Sequence, residues 1–185
     1  MDNPDLVQRV KEGDHTAFRT LVENYQQLVI STAFGFVGNN EDANDITQEV
    51  FLEIFRSIHS FREQSALSTW IYRITITRSL NHIRREKRFT GHSRAEDIPV
   101  STETQLDNPD KHLESEDRKK ILHQALGCLP KNQQLAFTLH NYEDLPYKEI
   151  ASIMNRSVSS VESLIFRARR NLQKKLWNWY KNYRV

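Results

Sequence analysis

The stretch from Tyr147 to Arg170 most constrains what this chain can become. Tyr147-Lys-Glu-Ile-Ala-Ser-Ile-Met154 carries apolar residues at helical spacing, Asn155-Arg-Ser157 breaks it, and Val158 resumes it towards a cationic Arg167-Ala-Arg-Arg170. A helix, a three-residue turn and a second helix are predicted, the arrangement that lays a helix in a DNA major groove. Ile150, Ala151 and Met154 form an apolar face on the first helix, with Ala151 small where the two helices approach. Asn155 stands at the turn, where Asn tolerates the positive φ that most residues avoid. Val158, Val161 and Ile165 predict an inward stripe on the second helix. Ser157 and Ser159 are both candidate N-caps, and Ser159 with Glu162 makes an S-x-x-E capping box. The plainer reading is an ordinary helical hairpin with a solvated basic end.

The remaining composition favours helices throughout. Glycine and proline number five each among 185 residues, and alternating apolar/polar runs are scarce, so an all-α protein of one domain or two small ones is predicted. No run of 18 apolar residues offers a membrane span. Met-Asp-Asn-Pro-Asp at the start lacks the basic and apolar regions of a secretory signal. Cys128 is the single cysteine, which excludes an internal disulfide and suits a cytoplasmic protein. Its neighbours Ala125, Leu126 and Leu129 predict that it is a small buried hydrophobe.

Charge is segregated along the chain. Residues 1–63 carry a net −6, residues 64–88 a net +5, residues 89–117 a net −6 and residues 118–185 a net +9, for an overall +2. Two basic blocks between acidic ones imply two nucleic-acid contacts and a further surface for something else. Residues 89–117 contain Gly91, Pro99, Pro109 and a Ser-Thr-Glu-Thr tract with few large apolar residues. Such a segment cannot bury enough surface to offset chain entropy, so a flexible acidic linker is predicted. It separates a domain at 1–88 from one at 118–185.

In the first domain, Leu6, Val7 and Val10 predict a short helix ending near Gly13. Asp14 can cap a second helix carrying Phe18, Leu21, Val22, Tyr25, Leu28 and Val29. A third, from Glu41 to Ser60, has Ile46, Val50, Phe51, Ile54, Phe55 and Ile58 on one face. Its other face carries Asp42, Asp45, Gln48, Glu49 and Glu53, acidic towards the N-terminus where the helix dipole favours it. A fourth helix, Ser68 to Arg88, packs Trp70, Ile71 and Ile74 inward and repeats Arg73, Thr77, Asn81, Arg84 and Arg88 along one side. Such a stripe can contact phosphates or base edges, or it can be a solvated face beside a core tryptophan. In the second domain, helices over Arg118–Leu129 and Asn132–Tyr142 precede the helix-turn-helix, and the four helices are predicted to form one small core.

Together these residues resemble the extracytoplasmic-function (ECF) group of bacterial RNA polymerase sigma factors. The resemblance rests on Asn40-Glu-Asp-Ala-Asn-Asp-Ile-Thr-Gln-Glu-Val-Phe-Leu-Glu-Ile-Phe-Arg56, on Thr69-Trp-Ile-Tyr-Arg-Ile74 with Asn81-His-Ile-Arg-Arg85, and on Leu129-Pro130, Tyr147–Ala151 and Val161–Arg169, in that order and spacing. It implies a sigma region 2 domain at 1–88 and a sigma region 4 domain at 118–185. Asp42, Asp45, Gln48, Glu49, Leu52 and Glu53 would bind core polymerase at the β′ clamp helices, with the β flap as a second contact. Arg62, Ser65, Ser68, Trp70, Arg73, Thr77, Asn81, Arg84, Arg85 and Arg88 would meet the −10 strand, the loop from Phe61 to Ser68 receiving a flipped base. Arg156, Ser159, Ser160, Glu162, Ser163, Phe166, Arg167 and Arg170 would face the −35 duplex. The acidic linker would thread towards the RNA exit channel. An anti-sigma factor, often membrane-embedded in the family, is an implied partner.

Four positions depart from the family's common pattern. Thr77 and Asn81 stand where many relatives carry Asn and Asp, and Glu162 and Leu164 where Lys and Arg are frequent. Glu162 could cap Ser159 or accept from cytosine N4.

An operator-binding helix-turn-helix regulator would explain residues 118–185 equally well, but neither the acidic helix nor the Trp70 helix. Enzymatic chemistry finds little support. Seven scattered histidines (His15, His59, His82, His92, His112, His123, His140) have no zinc-ligand spacing. Gly35 and Gly38 lack the following Gly-Lys-Ser/Thr of a phosphate loop. No catalytic residue, cofactor, metal or small-molecule substrate is predicted.

Overall fold

The first helical region is built on one long helix whose ends are fixed by local chemistry. Helix α1 (Pro4–Lys11) leads to Asp14, whose carboxylate accepts from the amides of Thr16 at 2.8 Å and Ala17 at 3.2 Å and so starts α2 (His15–Val37). The Thr16 hydroxyl and the Arg9 guanidinium, 2.7 Å away, hold that carboxyl well below the usual carboxylate range. Gly38 ends α2 at φ 79°, donating to Phe34 O at 2.8 Å, a left-handed cap that only glycine adopts without cost. Asn39 then caps α3 (Asn40–Ser57) by accepting from the Asp42 amide at 2.8 Å. A 3-10 turn (Ile58–Ser60) and a loop lead into α4 (Leu67–Phe89). In this computed structural model the described residues are 4–89 and 121–183, so nearly all of the expected linker at 89–117 lies outside them.

Leu21 and Val29 of α2, Ile46, Val50 and Ile54 of α3, Ile58, and Leu67 and Ile71 of α4 are buried in one cluster, closed by Leu6, Val7 and Val10 of α1. Each such side chain contributes about 1.5–3 kcal/mol by leaving water. Phe55 was expected on this inner face but stays 45% exposed. It lies at the rim, edge-on to Phe18 with ring centroids 5.0 Å apart, because the 100° step per residue carries it past Phe51 and Ile54.

The second region runs through α5 (121–127), α6 (Lys131–Asn141), α7 (Tyr147–Met154) and α8 (Val158–Tyr183). Its core is divided, where the sequence predicted one. Ala125, Leu126, Leu129, Ala168 and Leu172 form one cluster. Ala136, Leu139, Ile150, Ala151, Ile153, Val161 and Ile165 form another, which is completed by Phe36 of α2 and by Tyr72 and Ile76 of α4. The second region therefore packs on the first. Among the described residues no helix is long and apolar enough to cross a membrane.

The turn of the helix-turn-helix has the predicted geometry. Asn155 has φ 52° and ψ 54°. Its amide points to Ser152 O at 3.3 Å and the Arg156 amide to Ala151 O at 2.9 Å, the paired bonds of a Schellman motif. Three local expectations are corrected. Val158 is 45% exposed, not inward, because it is the first residue of α8 and lies beyond the partner helix. The capping box fails: Ser157 is the cap, accepting from the Ser160 amide at 3.2 Å. Ser159 therefore sits within the first turn and Glu162 is not its capping partner. Cys128 is exposed, since the chain turns after α5 and directs it away from Ala125, Leu126 and Leu129. Replacing Asn155 tests the turn: Asn155→Ala should lower stability by about 1 kcal/mol through the left-handed penalty, whereas Asn155→Gly should be neutral within a few tenths of a kcal/mol, read from urea midpoints.

Candidate nucleic-acid and polymerase interfaces

The acidic face of α3 is partly committed to α4. Arg78 Nη2 lies 2.6 Å from Glu53 Oε2, Arg85 Nη2 lies 3.1 Å from both oxygens of Glu49, and His82 Nε2 lies 3.3 Å from Asp42 Oδ1. This ladder brings Asp42, Glu49 and Glu53 together with one expected DNA contact, Arg85, and with two residues that the sequence reading missed, Arg78 and His82. The missed signal was complementary charge at helical spacing on two consecutive helices. Asp45 and Gln48 remain exposed, as does Leu52 at 56%, so α3 presents an acidic and apolar face to solvent.

The loop before α4 is shaped by a cation and two rings. Lys11 Nζ lies 3.4 Å from Glu63 Oε1 and 5.9 Å from the centroid of Phe61, whose ring lies 5.2 Å from that of the half-buried Trp70. Glu63 itself takes φ 57°. Arg62 is exposed, and Ser65 and Ser68 are half-buried beside it in sequence. Along α4, Arg84 and Arg88 point to solvent, and Arg84 Nη1 donates to Asn81 Oδ1 at 3.0 Å. The Thr77 hydroxyl is turned back onto Arg73 O at 2.7 Å. Arg73 is exposed, as the stripe predicts, but not unpaired: Nη2 donates to Ser152 O at 2.7 Å and Nε to Ile153 O at 3.2 Å, both at the end of α7.

On α8 the expected face is open. Arg156, Ser159, Glu162, Ser163, Arg167 and Arg170 are exposed and Ser160 is half-buried. Phe166 is 61% exposed, with the Arg170 guanidinium 5.9 Å from its ring centroid. The opposite side of the helix, Val161, Ile165, Ala168 and Leu172, is buried. The outer row thus faces away from the core.

Between the regions lies the most perturbed titrating chemistry. Tyr72 Oη donates to Glu143 Oε2 at 3.3 Å. Burial pushes the Glu143 carboxyl up, against the hydroxyls that face it. Its Oε1 is buried without a bonded partner, while Ser31 and Thr32 spend their hydroxyl protons on backbone carbonyls of α2. Burial, then the charge of Glu143, pushes the Tyr72 phenol up. Burial also holds His123 below its usual value. Among the described residues no cluster of His, Cys, Asp and Glu is suited to a metal.

The chain matches the family described as Sigma-70 region 2 over residues 21–89 and that described as Sigma-70, region 4 over residues 119–172. Similar proteins include an ECF RNA polymerase sigma-E factor of Haemophilus influenzae, 36% identical over 177 residues that cover 92% of this chain and 93% of the relative. An RNA polymerase sigma-H factor of Pseudomonas aeruginosa is 34% identical over 182 residues, 92% of each chain. Among solved structures, CnrH in complex with the cytosolic domain of CnrY aligns with TM-score 0.66 at 22% identity, over 92% of this chain and 94% of that one. RpoE in complex with the anti-sigma factor NepR from Bartonella quintana aligns with TM-score 0.60 at 23% identity, over 86% and 96%.

The buried carboxyl sets a pH dependence. A raised carboxyl pKa means that the native state binds the proton more tightly, so Glu143 opposes folding when charged and ceases to do so as pH falls. Glu143→Gln should therefore raise the melting temperature at pH 8, with the gain shrinking towards pH 4. A gain independent of pH would assign the effect to something other than the buried charge.

Proposed function

This chain belongs to the ECF group of sigma-70 factors, which bind core RNA polymerase and direct transcription initiation without chemistry of their own, and from that premise we propose how its faces divide the work. The face of α3 around Asp45, Gln48 and Leu52 docks on the β′ clamp helices, with Asp42 and the ion-paired Glu49 and Glu53 as its flank. The observation that carries this reading is Leu52, a large apolar side chain left 56% exposed between acidic neighbours on a chain of net positive charge. Such a residue is at home in an interface core with a polar rim.

The loop at 61–68 and the α4 stripe take the −10 non-template strand. Unpairing a base costs a few kcal/mol, which stacking on the half-buried Trp70 ring and phosphate contacts from Arg62, Arg84 and Arg88 would offset. The open row of α8 reads the −35 duplex. Arg156, Arg167 and Arg170 supply phosphate charge, and Ser159, Ser163 and Glu162 reach base edges. With the capping role of Glu162 removed by the geometry of Ser157, acceptance from cytosine N4 becomes its better-supported task. Region 4 also contacts the β flap. The factor acts in the cytoplasm beside its polymerase. An anti-sigma factor is a further partner, a reading supported by the complexes formed by CnrH and RpoE.

Docking is tested by Asp45→Lys with Leu52→Ala, which should reduce co-purification with core polymerase at least about tenfold, as expected when an apolar anchor and its charged neighbour are lost together. Unchanged recovery rejects the assignment. Arg84→Ala with Arg88→Ala tests the −10 face without disturbing the Arg85–Glu49 pair. Transcription from duplex promoter should fall more than transcription from a pre-melted one, and the salt dependence of promoter binding should flatten by about two units of slope. Equal losses on both templates would overturn the melting role.

A further inference from the structure

Helix α1 precedes the residues 21–89 that match the region 2 family, and its last residue reaches the loop assigned above to the −10 strand. The helix is held in place from two sides. Leu6, Val7 and Val10 are buried in one cluster with Phe61 and Leu67, which stand at the two ends of the loop. Its C-terminal end is fixed by the Arg9–Asp14 pair at 2.7 Å and by the Asp14 amide on Arg9 O at 3.0 Å. Lys11 is thereby set against the loop, its side chain only 20% exposed, although a lysine ordinarily keeps its charge in water. It meets two loop groups there, the Glu63 carboxylate 3.4 Å from Nζ and the Phe61 ring, whose centroid lies 5.9 Å away.

Glu63 is out of character in a loop that faces DNA. Its backbone takes φ 57°, a conformation that a residue with a side chain keeps only when its surroundings hold it. Its side chain is 55% exposed beside Arg62, where an unneutralised carboxylate would oppose a phosphate backbone. Lys11 supplies the countercharge from α1. The same ammonium backs the Phe61 ring, which lies 5.2 Å from the half-buried Trp70, the ring on which an unpaired base would stack. An ion pair with one partner more than half exposed adds little to stability, so its effect falls on the charge and shape of the loop.

We propose that Lys11 is a positioning residue for −10 capture: it cancels the charge of Glu63 and, through Phe61, holds Trp70 and the loop in the shape that takes an unpaired base. The inference rests on the −10 assignment of this loop. Lys11 itself touches no base; it acts through two loop side chains, the farther of them 52 positions along the chain.

The test uses holoenzyme and a forked promoter with 2-aminopurine at each −10 non-template position in turn. The position that brightens with wild-type factor is unstacked from its neighbours and marks the captured base; a second strand is made abasic there. Lys11→Met should weaken capture of the intact strand about five- to tenfold, a share of what stacking one base is worth, and capture of the abasic strand less than about twofold. Comparing one variant on two strands cancels any loss of folded protein. Lys11→Arg should behave as wild type. Adding Glu63→Gln to Lys11→Met should recover part of the loss, because the unneutralised carboxylate goes with it. Equal losses on the two strands, or no recovery with Glu63→Gln, would overturn the proposal and leave the −10 assignment standing. If no position brightens with wild-type factor, the −10 assignment fails and the proposal falls with it.

Discussion

Both halves of the molecule depend on the way α2 changes its burial along its length. Over its N-terminal two-thirds, Ala17, Leu21 and Val29 face α3 and α4. Over its last turns Gly35 and Phe36 face α6 and the helix-turn-helix instead. A helix of 23 residues is about 35 Å long, enough to span two packing layers. An amphipathic helix with a single stripe would hold one layer only. The missing side chain of Gly35 permits the second contact, and Gly38 ends the helix in a conformation that turns α3 back onto the first. Those glycines, unremarkable as a phosphate loop, are where the two regions come together.

What could be read from the sequence was whatever short-range physics decides. Helical periodicity, the Asp14 cap and the positive φ of Asn155 follow from interactions within a few residues, and each is present in the structure. The misreadings have a common cause. Val158, Phe55 and Cys128 lie at the margin of an apolar stripe, where exposure is set by what packs against the helix and not by the stripe itself. The Ser159–Glu162 capping box was a valid local pattern defeated by an equally valid one two residues earlier, since only one serine can occupy the N-cap. Divided burial of α6–α8 was illegible because its completing residues, Phe36, Tyr72 and Ile76, lie 60 or more positions away.

The candidate sites were legible as residue types and less so as free groups. A list of acidic residues on α3 and basic residues on α4 suggested one surface for protein and one for DNA. Placed in space, Arg85 belongs to Glu49, and Arg78 to Glu53. Partly exposed pairs of this kind are worth about 1 kcal/mol or less each, so they do not lock the helices together. Their effect is on availability: a partner that takes Glu49 leaves Arg85 unneutralised at the edge of the DNA face. On the proposed assignment, polymerase docking and strand capture would then be linked through shared charges, without a conformational change in either helix.

The same economy appears at Arg73 with a larger consequence. A guanidinium held by two carbonyls at a helix end, beside buried aromatic and aliphatic contacts, is not a free DNA ligand. Affinity for DNA scales with the number of phosphates neutralised, so if Arg73 and Arg85 meet DNA as proposed, their internal pairing would weaken the binding of the free factor to any DNA it met. A basic protein of this size faces a large excess of nonspecific sites. Internal pairing of its cations reduces that competition while leaving α8 and the outer α3 face open to solvent, and those are the surfaces through which polymerase and a −35 element would first be met.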